Sequence, residues 1–548
     1  MRFARLALLQ LPAFSLEQAE ESLEHTLRRI DDAARERPDI IALPEVTYPA
    51  YFLGQRDLRD CGVLTPAEAA DRIAAKAREH GVYIAAGLAL EAPTTGGHAP
   101  RYANAAVLFD RDGRVAGRYD KSFLWHFDAR WFARGSAYPV FETDVGRIGM
   151  LVCADGRLPE IARALAVGGA QIILDLTAWV SAGRHPAELT SPQRESMMPV
   201  RAAENGIWVA CVSKFGVEAE SIVYCGRSCI IDPRGETVAE LGPDEDAILL
   251  HEVPVEDNKP YVPRRPELYG VLAEPTDTLP VTRTLTEPLV PPEEQHPVAV
   301  VQMTMPASGE EFIERGRAHC ERLALHDAKL VVFPATPSRH RAAYAHDTVL
   351  AGMQAIAAAT DVMVVFTVSE GDGGAGPRAM HLVGPRGVLA THRQTHKPGG
   401  ARFATMPLGM EPAPVAETPI GRIGMLIAAE GFVPECARSL MLRGAEILLW
   451  CADAPPLAMS RFARCRADEN RVWVACAAAP AATGATMIVD PAGRVVAQAL
   501  EGRELAVTAT VNCALSHLKS MAPGTDVVFG RQPDTYMALT RPGTATVV

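Results

Sequence analysis

The sequence predicts an α/β protein that consists of two tandem copies of one domain. The chain has 548 residues, which is too long for a single hydrophobic core. Short β-branched runs alternate with helical stretches, as expected for sheets covered by helices. The stretch from Gly146 to Arg163 also recurs, in register, from Gly421 to Arg438. Such a repeat indicates a duplicated domain.

The first copy of this stretch predicts a strand, a turn and a helix. Residues 148–152 form a short apolar run, and Asp155 and Gly156 favour a sharp turn. Pro159 occupies a first-turn position of the following helix. Cys153 therefore ends a strand just before a helix, and a helix N-terminus there would favour its thiolate form. The second copy keeps the glycines, proline, glutamate and arginine but has Ala428 in place of the cysteine.

The remaining elements of the first copy follow from the same two periodicities. Leu6–Gln10 is expected to form the first strand. Further strands are predicted over 40–43, 82–90, 104–109, 148–152, 171–174, 207–212, 229–231 and 247–253. Helices are predicted over 16–37, 66–80, 159–167 and 192–205.

Other segments repeat in the same order. Leu6–Gln10 returns as Val298–Gln302, and Arg201–Asn205 returns as Arg466–Asn470. Residues 274–297 are rich in proline, threonine and glutamate, which predicts an extended linker. We therefore expect domains over residues 1–273 and 298–548, joined by a linker over 274–297.

Composition limits the classes of partner. A formal charge of −12 and the lack of a basic run argue against binding to nucleic acid or to an anionic membrane. No apolar run approaches the roughly 20 residues of a membrane span. The eleven scattered cysteines suggest neither a disulfide framework nor a metal site. We expect a cytoplasmic protein that needs no metal and no organic cofactor.

Four residues of the first copy are of the types that thiol-based acyl transfer needs. They are Cys153, Glu45 at the end of a predicted strand, Lys121 after another strand, and Asp128. A carboxylate can take the thiol proton and later protonate a leaving amine. An ammonium group and the backbone N–H of Ala154 can stabilise an oxyanion.

This ordered set of residues resembles the nitrilase superfamily, the carbon–nitrogen hydrolases. The matching motifs are Leu-Pro-Glu45, Tyr-Asp-Lys121 and Cys153-Ala-Asp-Gly-Arg-Leu-Pro-Glu160. The resemblance implies an αββα sandwich with Glu45 as general base, Lys121 as oxyanion stabiliser and Cys153 as nucleophile. Family members often carry a second glutamate where this chain has Asp128.

The second copy lacks the residues of this triad. Ala335 replaces the glutamate and Ala428 replaces the cysteine. Gln394 aligns with the lysine, although a one-residue gap would place Thr395 there instead. We expect the second domain to be catalytically inactive. Because family members pair through helices that both copies retain, the resemblance implies an internal pseudo-dimer, which could itself form a homodimer. Two independent domains on a tether are the alternative.

The residues around the nucleophile favour one branch of the superfamily. The pattern Cys153-Ala154-Asp155-Gly156 resembles amidases more than nitrilases, which typically have Cys-Trp-Glu. We therefore predict hydrolysis of a small amide or carbamoyl-amide through a thioester, with release of ammonia or an amine. A nitrile hydrolase is the alternative enzyme, and a non-catalytic binding or regulatory protein is the alternative from another class. Five side chains are predicted to shape specificity: Trp125, His126, Trp131, Trp179 and Arg184.

Overall fold

The computed structural model describes most of the chain and divides it into two compact units. The described residues are 2–54, 58, 61, 63–92, 102–181, 183, 185–286, 295–337, 342–453, 459–480 and 485–541. Unit 1 runs to Pro260 and also contains Ser520–Asp526. Unit 2 runs from Tyr261 to Lys519 and resumes at Val527.

Unit 1 contains two sheets that are covered by helices. Its first strands are β1 (Phe3–Pro12), β2 (Ile40–Ala42), β3 (Tyr83–Glu91), β4 (Tyr102–Phe109), β5 (Val115–Asp120), β6 (Val140–Glu142) and β7 (Arg147–Val152). They are followed by β8 (Ile172–Thr177), β9 (Trp208–Glu218), β10 (Ile222–Cys225), β11 (Cys229–Ile231), β12 (Thr237–Glu240) and β13 (Ala247–Pro254). The helices are α1 (Ala19–Ala34), α2 (Pro66–His80), α3 (Pro159–Val167) and α4 (Met198–Asn205).

The two sheets of unit 1 have corresponding topologies. The first has the order β13-β1-β2-β3-β4-β5, and the second has the order β6-β7-β8-β9-β11-β12. The end of β1 also pairs with β9, so that the two sheets are continuous at this point. Because β1, β2 and β3 are parallel, as are β7, β8 and β9, their carboxyl ends lie at common edges. Glu45 and Cys153 follow two of these ends.

Local sequence explains where the helices of unit 1 begin and end. Thr65 caps α2 by accepting from the backbone N–H of Glu68, Pro66 occupies the first turn, and Gly81 ends the helix in the left-handed conformation. Apolar residues of α1, including Leu23 and Ile30, pack in one buried cluster with strands β1 to β4. The predicted helices are confirmed, with a one-turn 3-10 segment before α1 and a π-helical segment over Gln193–Met197 before α4.

Unit 2 repeats this arrangement. Its helices are α5 (Pro280–Thr286), α6 (Gly309–Ala324), α7 (His346–Thr360), α8 (Pro434–Leu442), α9 (Met459–Asn470) and α10 (Met537–Thr540). Its first strands are β14 (His296–Gln302), β15 (Leu330–Val332), β16 (Met363–Ser369), β17 (Arg378–Gly384), β18 (Gly387–Arg393) and β19 (Val415–Thr418). The others are β20 (Gly421–Ile427), β21 (Ile447–Cys451), β22 (Trp473–Ala477), β23 (Met487–Val489), β24 (Val495–Gln498) and β25 (Leu505–Val511).

The sheets of unit 2 have the orders β18-β17-β16-β15-β14-β25 and β19-β20-β21-β22-β23-β24. One buried cluster joins residues of the two sheets, with Val300 and Val332 from the first and Met425 and Leu449 from the second. A second cluster packs α6 and α7 on the first sheet. The predicted α/β class and the tandem αββα layers are therefore confirmed.

The predicted extended linker is wrong in part, because Thr276–Thr278 forms a 3-10 turn and Pro280–Thr286 forms α5. Pro280 favours a helix at this position because a first-turn proline loses no backbone hydrogen bond. Residues 287–294 lie outside the described part of the chain. The domain boundaries at 273 and 298 remain predictions, and so does the internal pseudo-dimer.

A short hairpin from the end of the sequence belongs to unit 1. Its strands are β26 (Ser520–Ala522) and β27 (Thr525–Asp526). Conversely, the segment that starts at Tyr261 belongs to unit 2 although it comes shortly after β13 in the sequence. Each unit thus contains a short segment from the other half of the sequence.

Candidate active site

Glu45 is buried beyond the carboxyl end of β2. Its side chain is 1% exposed, and its Oε1 accepts hydrogen bonds from Asn104 Nδ2 (2.7 Å) and Lys121 Nζ (2.7 Å). Its Oε2 atom has no hydrogen-bond partner among the described residues. A buried carboxylate oxygen without a partner is costly, and it is free to take a proton from a nearby group.

Lys121 follows β5 and joins two carboxylates. Its Nζ lies 2.7 Å from Glu45 Oε1 and 2.8 Å from Asp128 Oδ2, and its side chain is fully buried. Asp128 is held by Tyr51 Oη, which donates to Oδ1 (2.5 Å), and by Trp125 N–H, which donates to Oδ2 (3.0 Å). Burial alone would lower the pKa of Lys121, but the carboxylates of Asp128 and Glu45 raise it well above its usual value. Lys121 is therefore a fixed cation.

Cys153 lies at a strained position directly after β7. Its φ is +48°, a left-handed conformation that non-glycine residues rarely adopt. Its N–H donates to Asp175 Oδ1 (2.9 Å), and its carbonyl accepts from Gln193 Nε2 (2.6 Å). Since the N–H of Cys153 is occupied, it is not free to bind an oxyanion. The next N–H, that of Ala154, lies in the 3-10 turn Cys153–Arg157.

The surroundings of Cys153 do not favour a resting thiolate, contrary to our expectation from the nearby helix. Burial raises the pKa of the Cys153 thiol well above its usual value, and the Glu45 carboxylate raises it further, whereas Lys121 lowers it. Cys153 begins only a short 3-10 turn, and α3 starts further along the chain at Pro159. At neutral pH the group is a thiol, so it needs a base.

Asp155 fixes the turn after the nucleophile to the segment after Lys121. Its Oδ1 accepts from the backbone N–H groups of Ser122 (3.1 Å) and Phe123 (2.8 Å). Its Oδ2 accepts from Val152 N–H (3.0 Å) and Tyr119 Oη (2.8 Å). Burial raises the pKa of Asp155 to about 6 in spite of these donors.

The corresponding positions of unit 2 keep this scaffold but lack the reactive groups. Ala428 has a φ of +47°, nearly that of Cys153. Glu430 accepts from the N–H groups of Thr395 (2.6 Å) and Ile427 (2.8 Å), as Asp155 does from Ser122 and Val152. Trp450 occupies the register position of Asp175, and its Nε1 donates to Ala428 O (2.9 Å).

The backbone hydrogen bonds show that Gln394, rather than Thr395, occupies the position in unit 2 that is equivalent to Lys121 in unit 1. Lys121 N–H donates to the carbonyl of Asn104, and Gly135 N–H donates to the carbonyl of Lys121. Gln394 N–H donates to the carbonyl of Arg378, and Gly409 N–H donates to the carbonyl of Gln394. Ala335 follows β15 as Glu45 follows β2, and it is likewise buried.

The aromatic residues predicted to shape specificity differ in their positions. Trp125 and His126 lie in the turn that reaches Asp128, where Arg157 stacks 4.5 Å above the Trp125 ring. Trp131 Nε1 donates to Gly54 O (2.7 Å). Trp179 is 1% exposed, so it belongs to the core. Arg184 lies outside the described residues.

Sequence reasoning missed several residues that hold the site together. These are Tyr51, Asn104, Asp155, Asp175 and Gln193. Only Asp155 had a signal, because an acidic residue recurs at Glu430 in the second copy. The others contact the site from distant elements.

The described residues around Cys153 include no cluster of metal-ligand atoms. Within the described residues, only Asp31, Glu79 and His80 have ligand atoms close enough to share an ion. These side chains lie on α1 and α2, and Lys76 Nζ already approaches Asp31 (2.7 Å) and Glu79 (2.9 Å).

Comparison with known proteins identifies the family. The family model described as carbon–nitrogen hydrolase matches residues 5–261 and 297–520. The chain belongs to the carbon–nitrogen hydrolase family. The two matched regions confirm the predicted tandem duplication.

Individual relatives match about half of this carbon–nitrogen hydrolase. It is 34% identical over 283 residues to a protein named "Hydrolase in pqqF 5'region" from Pseudomonas protegens, which covers 49% of this chain and 92% of that protein. It is 26% identical over 253 residues to omega-amidase NIT2 of Xenopus tropicalis, and the match covers 44% of this chain and 86% of that protein. The crystal structure of an amidase from Nesterenkonia sp. shares 27% identity over 46% of this chain and 91% of that chain, with a TM-score of 0.40.

Among the helices that the structure describes, none is long and apolar enough to cross a membrane.

Proposed function

We propose that this carbon–nitrogen hydrolase is a cysteine-dependent amidase that acts on a small amide or carbamoyl-amide. The observation that supports this most is the buried cation Lys121, which lies between the carboxylates of Glu45 and Asp128. The charges of Lys121 and Glu45 both act on the thiol of Cys153. The omega-amidase relative supports an amide as the scissile group. At the positions of unit 2 that are equivalent to Glu45, Lys121 and Cys153, the sequence has no residues that could perform this chemistry.

In the proposed mechanism, Glu45 activates the nucleophile. Its Oε2, which has no hydrogen-bond partner among the described residues, takes the proton of the Cys153 thiol as the sulfur attacks the carbonyl carbon. Lys121 Nζ and the N–H of Ala154 stabilise the oxyanion. Asp128 keeps Lys121 charged and oriented, so we assign it a positioning role.

The second half of the cycle returns the enzyme to its starting state. Glu45 donates its proton to the leaving nitrogen, the C–N bond breaks, and ammonia or an amine leaves a thioester on Cys153. Glu45 then takes a proton from water, which attacks the thioester. The C–S bond breaks, the acid is released, and the proton returns to sulfur. No metal or organic cofactor takes part in this scheme.

The test is ammonia release from a matched panel of small amides, carbamoyl-amides and nitriles, with Cys153→Ala as the control. We expect turnover of an amide or carbamoyl-amide that the variant lacks. Faster turnover of nitriles would identify a nitrile hydrolase instead. Turnover of no panel member would favour a binding or regulatory role. A fully active Cys153→Ala variant would contradict the mechanism.

We also propose a reducing cytoplasm as the location of the protein. The eleven cysteines are scattered along the sequence without the spacing of a disulfide framework. Proteins of this length without such a framework are typical of reducing compartments.

A further inference from the structure

A hydroxyl group from the second half of the sequence lies in unit 1, next to the turn that carries Trp125. Thr525, at the start of β27, is 1% exposed. Its Oγ1 accepts a hydrogen bond from His126 N–H (2.6 Å) and donates one to Leu124 O (3.3 Å). One side chain therefore binds the backbone on both sides of Trp125.

This turn positions Asp128. Trp125 N–H donates to Asp128 Oδ2 (3.0 Å), and the same oxygen lies 2.8 Å from Lys121 Nζ. His126 has a φ of +48°, a conformation that costs free energy and persists only where other contacts hold it. The bond from His126 N–H to Thr525 is such a contact.

The same hairpin contacts the turn that follows the nucleophile. Arg157 is the last residue of the 3-10 turn that begins at Cys153. Its guanidinium lies over the Trp125 ring, and its Nη1 lies 3.8 Å from Met521 Sδ. The hairpin therefore supports both the lysine side and the cysteine side of the site.

Unit 2 has a corresponding contact that uses a different chemical group. Gly399 follows Gln394 by as many residues as His126 follows Lys121. Its N–H donates to the backbone carbonyl of Tyr261 (3.0 Å), which comes from the first half of the sequence. In the unit with the reactive groups, the acceptor is instead a side-chain hydroxyl that a substitution can remove.

We propose that Thr525 is a positioning residue for the reaction at Cys153, supplied to unit 1 by the catalytically degenerate half. It fixes the Leu124–His126 turn, which holds Asp128 against Lys121 and so orients the oxyanion-stabilising ammonium group. This inference rests on the proposed amidase function. It gives the degenerate half a direct part in catalysis.

The test compares three variants of the full chain. Thr525→Val removes the hydroxyl but keeps the shape, and we expect kcat to fall about tenfold or more with a smaller change in KM, because small misplacements of a catalytic group are costly. Thr525→Ser should retain most of the wild-type kcat. Thr535→Val removes a hydroxyl that bonds Gln532 O within unit 2 and should leave kcat unchanged.

A measurement on the wild-type protein keeps the proposal testable if Thr525→Val does not fold. The His126 amide should be protected from hydrogen exchange, and Thr525→Val, where folded, should lose that protection. An unprotected His126 amide, or a Thr525→Val variant with wild-type kcat, would overturn the proposal. Failure of the amidase function itself is distinct, because the wild-type protein would then hydrolyse no amide, or Cys153→Ala would remain active.

Discussion

The two carboxylate oxygens of Glu45 differ in their hydrogen bonding. Oε1 binds Asn104 and Lys121, whereas Oε2 has no partner among the described residues. Glu45→Gln preserves the shape and the acceptor but cannot take a proton. We expect kcat to fall by roughly 10²- to 10⁴-fold, since general-base help has this magnitude. Steady-state kinetics would measure this, with the exposed Glu79→Gln as control. A variant with most of its activity would show that another group is the base.

Asp175 is a second carboxyl group beside the nucleophile, and we expect it to be neutral. Burial raises its pKa well above the usual value for aspartate, which favours the protonated form. Asp175→Asn retains an acceptor for Cys153 N–H and should keep kcat/KM within about threefold of the wild-type value and the same pH profile. Asp175→Leu removes the acceptor and should lose about 10²-fold, because the strained turn is released. Equal losses in both variants would show that a charge on Asp175 is required.

At the scale of elements, one buried arginine motif maintains the turn after the nucleophile position in both units. Arg201 donates to Gly156 O (3.0 Å) and pairs with Glu204 (2.8 Å). Arg466 donates to Gly431 O (3.0 Å) and pairs with Glu469 (2.7 Å). The turn has therefore kept its support in unit 2 after losing the cysteine. This separates residues that maintain the fold from those that only the chemistry needs.

The two kinds of residue also differ in how well the sequence predicts them. Helix α2 could be predicted to the residue, because Thr65, Pro66 and Gly81 act locally. Glu45, Lys121 and Cys153 could be placed through their motifs and the strand ends. Asp175 and Thr525 could not, since their roles depend on contacts with residues far away in the sequence. The raised pKa of Cys153 was also missed, because burial depends on the packing of the whole unit.

The segment around His396 gives unit 2 a predictable sensitivity to acid. Burial lowers the pKa of His396 to about 4, although Glu430 and Glu435 oppose this. Its Nε2 lies 2.7 Å from Tyr269 Oη. In the unfolded chain an ordinary histidine binds a proton near pH 6.5, so the unfolded state binds more protons between pH 6.5 and 4. The stabilisation is complete above pH 6.5 and is lost as the pH falls towards 4.

Because of this histidine, we expect the free energy of unfolding to be about 2 kcal/mol lower at pH 5 than at pH 7.5. His396→Gln should remove that part of the pH dependence, whatever its effect on stability at neutral pH. His326→Gln, at an exposed position, should keep it. Urea unfolding of the full chain at the two pH values would measure the difference. An identical pH dependence in His396→Gln and the wild-type protein would show that His396 does not remain neutral in the folded state.

At the scale of the whole molecule, the two halves of the sequence do not fold as two separate units. Ser520–Asp526 belongs to unit 1, and the segment from Tyr261 belongs to unit 2. Within unit 2, Arg264 pairs with Glu435 (3.0 Å), and Arg265 donates to the carbonyls of Thr395 (2.9 Å) and Gly409 (2.8 Å). The degenerate half thus retains sites for a segment of the first half. This agrees with selection for its scaffold rather than for its own chemistry.

The exchange of segments makes the halves interdependent, and separating them is the test. A fragment of residues 1–272 lacks Thr525. It also contains the segment from Tyr261 without the rest of unit 2, to which that segment belongs. The family resemblance implies an apolar pairing face, which this fragment should expose. We therefore expect the fragment to aggregate or to form a homodimer through that face, as exposed apolar patches commonly do. Its turnover should be low until residues 298–548 are added, when a one-to-one complex should form and activity should rise. Light scattering would measure formation of the complex, and ammonia release would measure its activity. The matched control is the fragment of residues 298–548 that carries Thr525→Val. A stable and fully active monomer of residues 1–272 would contradict the predicted pseudo-dimer and assign the second half to regulation or to another partner.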